Sequence, residues 1–144
     1  MRHYEKKKSD KADDSENKEE FEQKEYYIKE KFDTTAASLD LFKTDELLSK
    51  PGTAFHYTTH GFTLLAAVIE SVTGEKFDQF MKKQFKVMGL NNTYLDDAET
   101  LIYNRARYYV RDKHHRLKNA PYVDCSYKWA GGGLLSNVSD LVLR

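Results

Sequence analysis

The chain has 144 residues, 40% of them hydrophobic, with 23 basic and 23 acidic side chains for a formal net charge of zero. A neutral chain sets up no long-range field to recruit nucleic acid or an anionic membrane, which argues against a DNA- or RNA-binding role. Its length suits one ordinary domain, and no apolar run approaches the roughly 20 residues that a membrane span needs.

From Glu5 to about Lys24 the sequence is mixed charge with one aromatic, Phe21. Such a composition cannot repay ordering entropy, so residues 1–33 are expected to be a charged, largely disordered insert ahead of a partial domain at 34–144. Glu25 to Phe32 is expected to form a short helix, and Ser38 to Leu48 a better one with Leu39, Phe42 and Leu47 or Leu48 as its stripe. Pro51-Gly52 forces a turn.

The strongest helical signal follows. Phe62, Leu65, Ala66 and Ile69 fall at i, i+3, i+4 and i+7, and Leu64, Ala67 and Val68 widen that face until the helix reads as buried on most sides. Gly74 supplies a left-handed stop. Phe77 to Val87 repeats the pattern through Phe77, Phe80, Met81 and Phe85, and Gly89 ends it. Arg107 to Val110 and Arg116 to Lys118 flank a charged turn and are expected to pair as a hairpin, although no glycine marks the turn. Ala130 to Leu135 reads as a Gly-rich connection. Ser136 reads as the N-cap of a last helix with Asp140 in its first turn.

Several residues invite sharper readings that the pattern does not support. Cys125 is the only cysteine; it can form no intrachain disulfide or thiolate zinc site and reads as a small half-buried residue. His114-His115 lacks the spaced carboxylates of a metal site and reads as a solvated turn. Tyr108-Tyr109 and the aromatics from Tyr122 to Trp129 read as core and wall rather than stacking platforms. No signal-peptide h-region opens the chain, and its start is too acidic for a mitochondrial presequence.

Three stretches carry the chemistry. The first is Pro51-Gly52-Thr53-Ala54-Phe55-His56-Tyr57-Thr58-Thr59-His60-Gly61-Phe62. The second is Val87-Met88-Gly89-Leu90-Asn91-Asn92-Thr93. The third is Trp129-Ala130-Gly131-Gly132-Gly133-Leu134-Leu135-Ser136, followed by Asp140-Leu141. In order and spacing they resemble the serine beta-lactamase and penicillin-binding-protein superfamily, in its class C and esterase-like branch. The opening Arg2-His3-Tyr4-Glu5-Lys6 and the charged insert bring the resemblance closest to the animal mitochondrial members.

The resemblance implies an α+β fold, here a fragment of the serine beta-lactamase/DD-peptidase-like fold comprising mostly the helical lobe with a short β-hairpin. It implies a nucleophilic serine with a lysine one helical turn later, a tyrosine that shares the proton, and a [KH]-T-G strand along the acyl pocket. Tyr57 matches that tyrosine, and Thr59 holds the place where many relatives have asparagine; these two are the candidate catalytic residues. A phenol has an ordinary pKa near 10, so it helps as a base only beside a stabilising cation. Thr59 offers a hydroxyl where asparagine presents two amide donors; animal members resemble this chain in having threonine there.

The single S-x-x-K of the sequence is Ser15-Glu16-Asn17-Lys18, inside the charged insert, and no [KH]-T-G occurs. The nucleophile and pocket strand are therefore expected outside both ends, and the chain is expected to be an inactive fragment of a peptidase- or esterase-type hydrolase. No cofactor or metal is called for. By resemblance the intact protein takes a peptide or ester substrate, resides in mitochondria, assembles as a homo-oligomer or filament, and serves lipid metabolism. The competing expectation is a non-catalytic scaffold or interaction module.

Overall fold

In the computed structural model, residue 25 and residues 27–142 are described; the disorder expected over Glu5 to Lys24 lies outside them. The central element is helix α2, Thr59–Thr73. The chain reaches it extended at Thr58, whose Oγ1 accepts a long 3.4 Å bond from Gly61 N. It ends at Gly74, left-handed at φ 70° as expected.

The buried face of α2 overlaps only in part the one the apolar spacing predicts: Ala66 and Ala67 are buried and Ile69 packs against the core. Thr59, His60, Thr63, Ala66 and Ala67 are buried, whereas Phe62 and Leu65 are 52% and 57% exposed. Small residues line the inner stripe, and small side chains let neighbouring backbone come close. Thr63 uses that closeness: its Oγ1 donates to Tyr127 O at 2.9 Å.

Helix α3, Phe77–Val87, has the expected bounds, buries Phe77 and Phe85, and is followed by Gly89 at φ 72°. The core gathers Ala66 of α2, Phe77 of α3 and Leu95, with Ile69, Met81, Trp129 and Ala130 against them.

The N-terminal expectations need correction. Residues 28–32 form no helix, because their backbone groups are spent elsewhere. Ile28 O accepts from Asp124 N at 2.8 Å, and Phe32 N donates to Ser126 Oγ at 2.8 Å. Helix α1 covers only Thr35–Ser38 and continues as a 3-10 turn over Leu39–Leu41. Phe42 then leaves helical geometry (φ −147°, ψ 0°) and buries its ring, while Leu47 and Leu48 stay exposed.

The expected hairpin forms, shifted one or two residues along the chain, from β2, Tyr109–Arg111, and β3, Leu117–Asn119, with Tyr109 opposite Asn119. No glycine is needed: His115 takes the left-handed position at φ 60°, and the Asp112 carboxylate accepts from the backbone N–H groups of His114 and Arg116. Tyr108 and Tyr109 are exposed, not core, whereas Tyr127 is 1% exposed.

The Gly-rich stretch is more structured than a connection. It comprises helical turn α4, Trp129–Gly132, and strand β4, Leu134–Leu135, which pairs antiparallel with β1, Tyr94–Leu95. The last helix, α5, covers Val138–Val142. Asn137 Oδ1, not Ser136, accepts from Asp140 N at its start. Five helices with two short antiparallel strand pairs make the described residues α+β, as expected.

Glu70, on the inner side of α2, ties three helices together. Its Oε2 accepts from Thr35 N and Ala36 N at 3.0 and 3.3 Å, and its Oε1 from Phe77 N at 2.9 Å. These are N–H groups that the first turns of α1 and α3 cannot satisfy internally. Lys76, at the α3 N-cap, supplies no side-chain bond of its own. Burial raises the Glu70 pKa, but the bonds from Phe77, Thr35 and Ala36 outweigh it, and the net direction is down. Glu70→Ala is expected to cost about 2–3 kcal/mol, since it orphans several donors, and thermal unfolding followed by circular dichroism checks this. The folded pKa is depressed, so the contribution is complete above the unfolded glutamate range and fades as pH falls through the folded value. The acid limb of a stability–pH curve is therefore expected to flatten in Glu70→Gln; an unchanged limb would remove Glu70 as its source.

Candidate functional site

Pro51-Gly52 turns the chain toward α2, with Gly52 at φ 77° and Thr53 N donating to Lys50 O at 3.2 Å. The five residues after it, 53–57, are exposed. Tyr57 sits just ahead of the N-cap Thr58 and is 68% exposed, whereas Thr59, the first residue of α2, is 5% exposed. The two candidate residues thus part at the head of the helix, the phenol toward solvent and the threonine into the protein.

What meets Thr59 is the third motif. A Cβ placed on Gly131 would stand 2.5 Å from Thr59 Cγ2 and 3.2 Å from Thr59 O. The contact therefore requires glycine at 131. At its other end the third motif reaches the second: Ser136 Oγ lies 2.8 Å from Thr93 Oγ1. Asp140 Oδ2 accepts from Asn92 N and from Thr93 Oγ1, both at 2.8 Å. The three stretches singled out in the sequence are joined through the third.

Behind the motif lies a polar layer that spacing gave no signal for. Trp129 Nε1 donates to Asp96 O at 3.1 Å. Asp96 is buried and pairs with Arg105. Asp124 accepts from Ser126 N at 2.8 Å and is also bonded by the Ser126 hydroxyl. Cys125 is half-buried with Sγ 3.7 Å from Asp96 Oδ2. Burial pushes its thiol up to about 11, so at neutral pH it is no thiolate nucleophile. Burial also lowers the Lys128 pKa, against the raising influence of Cys125 and Asp96. Among the described residues no cluster of His, Cys, Asp and Glu could hold a metal ion, and no helix is long and apolar enough to cross a membrane.

Two concave regions flank the core. An apolar groove of about 240 Å³ is lined by Phe62, Leu65, Ile69, Met81, Trp129 and Leu134, among others. A second, of about 280 Å³, lies between α3, β1 and the 97–102 segment. Neither is lined by Tyr57 or Thr59.

With this geometry in hand, the class follows from comparison. The beta-lactamase family model matches residues 6–143. The penicillin-binding protein homologue of Pyrococcus abyssi, an octamer, superposes with a TM-score of 0.63 at 31% identity, over 76% of this chain and 25% of that one. The D-amino acid amidase of Ochrobactrum anthropi in complex with L-phenylalanine amide superposes at 0.65 over 82% of this chain and 35% of that one; at 19% identity it speaks for the fold alone.

The chain belongs to the beta-lactamase family of serine hydrolases. Among curated relatives it is 53% identical over 125 residues to the mitochondrial serine beta-lactamase-like protein LACTB of Mus musculus, and 52% identical over 125 residues to that of Homo sapiens. Each match takes in 87% of this chain and 23% of the relative, so the chain spans under a quarter of the relatives' length.

The Thr59–Gly131 contact has a direct test. Gly131→Ala is expected to destabilise by about 1–3 kcal/mol through overpacking. Gly132→Ala points into open space and is expected to be neutral, or stabilising by up to about 1 kcal/mol within a helical turn. Equal melting temperatures for the two variants would contradict the close approach.

Proposed function

We propose that the intact protein is a serine acyl hydrolase of peptidase or esterase type, working through an acyl-enzyme, with Tyr57 as its proton-sharing phenol and Thr59 beside it. The observation that carries this reading is the junction of motifs: Thr59 packs on Gly131 while Tyr57, two residues before, stands open to solvent. A buried, glycine-locked anchor beside an exposed phenol is how a reactive side chain is presented on a rigid element.

In the proposed reaction a serine hydroxyl attacks the substrate carbonyl and gives its proton to a neighbouring lysine. The ester or amide bond then breaks to leave an acyl-serine, which water hydrolyses. The Tyr57 phenol shares the travelling proton with the lysine ammonium. The serine and lysine are contributed from beyond this sequence, whose one S-x-x-K, Ser15 to Lys18, lies in the charged segment. On this reading the 144-residue chain by itself is inactive, with residues 1–33 a charged insert and 34–144 part of the hydrolase domain.

Mitochondrial residence is supported by the relatives' names, and homo-oligomerisation by the octameric state of the Pyrococcus abyssi homologue. A part in lipid metabolism rests on the superfamily resemblance alone. The second reading, an interaction module without catalysis, is favoured by the exposed apolar side chains Phe62, Leu65 and Leu134.

Two measurements separate the readings. Intact mass after fluorophosphonate treatment is expected to show no adduct on the 144-residue chain and one adduct on a longer protein carrying the serine and lysine. In that longer protein Tyr57→Phe keeps the ring and removes the hydroxyl. General acid–base assistance is worth about 10² to 10⁴ in rate, so kcat/KM is expected to fall at least about a hundredfold with the melting temperature nearly unchanged. Normal turnover in the folded variant would make the tyrosine scaffold only.

A further inference from the structure

His60 has no part in the reading above, yet it is 1% exposed in the first turn of α2. Its ring stacks on Phe42, with centroids 4.5 Å apart and planes 23° from parallel. Its Nε2 lies 3.5 Å from Oε1 of Glu25, a carboxylate side chain itself only 11% exposed. Were Nε2 unprotonated, its lone pair would face a carboxylate oxygen inside the protein, two acceptors with no hydrogen between them. A hydrogen on Nε2 removes that clash in either the neutral Nε2–H tautomer or the imidazolium, and the imidazolium alone adds an opposite charge to the contact. His60 follows Thr59 directly and Tyr57 by three residues, so what fixes the imidazole fixes the first turn of α2, which carries Thr59 and onto which Tyr57 leads.

We propose that His60 is a positioning residue for the Tyr57–Thr59 element: held between Phe42 and Glu25, it seats the head of α2, most firmly when the imidazole is charged. Its functional meaning rests on the role proposed for Tyr57; its test does not. Charged groups lie on the elements packed around α2, among them the exposed pair of Asp40 on the 3-10 turn at Leu39–Leu41 and Lys43. Glu25 comes from the N-terminal segment, Asp45 follows the 3-10 turn at Leu39–Leu41, and Lys128 belongs to the 3-10 turn over Ser126–Lys128. Glu70 is on α2 itself. Glu25 is the one paired with Nε2. Lys128 is influenced by Cys125 and Asp96, and Glu70 is occupied by Thr35, Ala36 and Phe77. One carboxylate oxygen of Asp45 is buried. The imidazolium–carboxylate pair is complete only where both partners are charged. It is lost as pH rises through the imidazole's titration and as pH falls through the carboxylate's.

The experiment follows the His60 ring and the amides of residues 57–62 by NMR across pH in the full 144-residue chain, with α3 amides as the reference for intact folding. In the parent, protection of the 59–62 amides relative to α3 is expected to fall about tenfold as His60 loses its proton. In Glu25→Gln the imidazole is expected to titrate at lower pH and that step in protection to vanish. His60→Phe keeps the stacking and removes the charge. It is expected to leave the 59–62 amides at the low, pH-independent protection, and adding Glu25→Gln should change nothing further. An imidazole titration unaltered in Glu25→Gln, or protection at 59–62 that is flat across that titration, overturns the proposal. Should Tyr57→Phe keep full turnover while these NMR changes occur, the positioning stands and only the catalytic role of Tyr57 falls.

Discussion

One carboxylate reaches into three helices. Glu70 projects from α2 onto the bare N–H groups that open α1 and α3, where both the missing hydrogen bonds and the helix dipoles favour a negative charge. The consequence is geometric. With α1 and α3 both referred to one side chain of α2, the buried face of α2 is fixed as Thr59, His60, Thr63, Ala66 and Ala67. Everything that packs there must come close to small side chains. The Gly131 backbone does so at one end of the helix, and the Tyr127 carbonyl does so one turn further on.

That constraint explains what could be read in advance and what could not. The spans of α2 and α3 were legible because local signals agree: periodic apolar residues, then Gly74 and Gly89 in the left-handed region where each helix stops. The face of α2 was legible only in part. Apolar periodicity marks Phe62, Leu65, Ala66 and Ile69, but packing covers Ala66 and part of Ile69 and leaves Phe62 and Leu65 exposed. The misplaced helices have a related cause. Residues 28–32 give their backbone bonds to Asp124 and Ser126, partners nearly a hundred residues away, and no local propensity encodes such partners. The β1–β4 pair was missed for the same reason, since two-residue strands carry no periodicity.

At the candidate site the sequence supplied the parts but not their joints. The three motifs were legible as short strings; that the third touches the other two was not. Gly131 against Thr59 and Ser136 against Thr93 are contacts across 72 and 43 residues. The glycine run was the available clue, because consecutive glycines often mark a place where another backbone must approach. Buried polar residues such as Asp96 and Asp124 had no such clue, since an aspartate in a loop reads as solvated until its donors are known.

The same packing leaves α2 with two unlike sides, and this bears on the division between catalysis and assembly. Its inner side is closely packed, through Thr59, His60, Thr63, Ala66 and Ala67. Its outer side presents Phe62, Leu65 and Val68 to solvent, beside the groove that Trp129 and Leu134 help to line. Exposed apolar groups gathered on one helix face are costly to leave in water and mark a surface shaped to be covered. Tyr57 lies at the head of that same helix. A body that covers the outer side approaches the end of α2 that Tyr57 precedes, and Glu70 and Gly131 fix the helix it approaches. On the role proposed for Tyr57, a body bound at the outer face would bear on the chemistry through α2, whose closely packed inner side leaves little room to absorb a displacement.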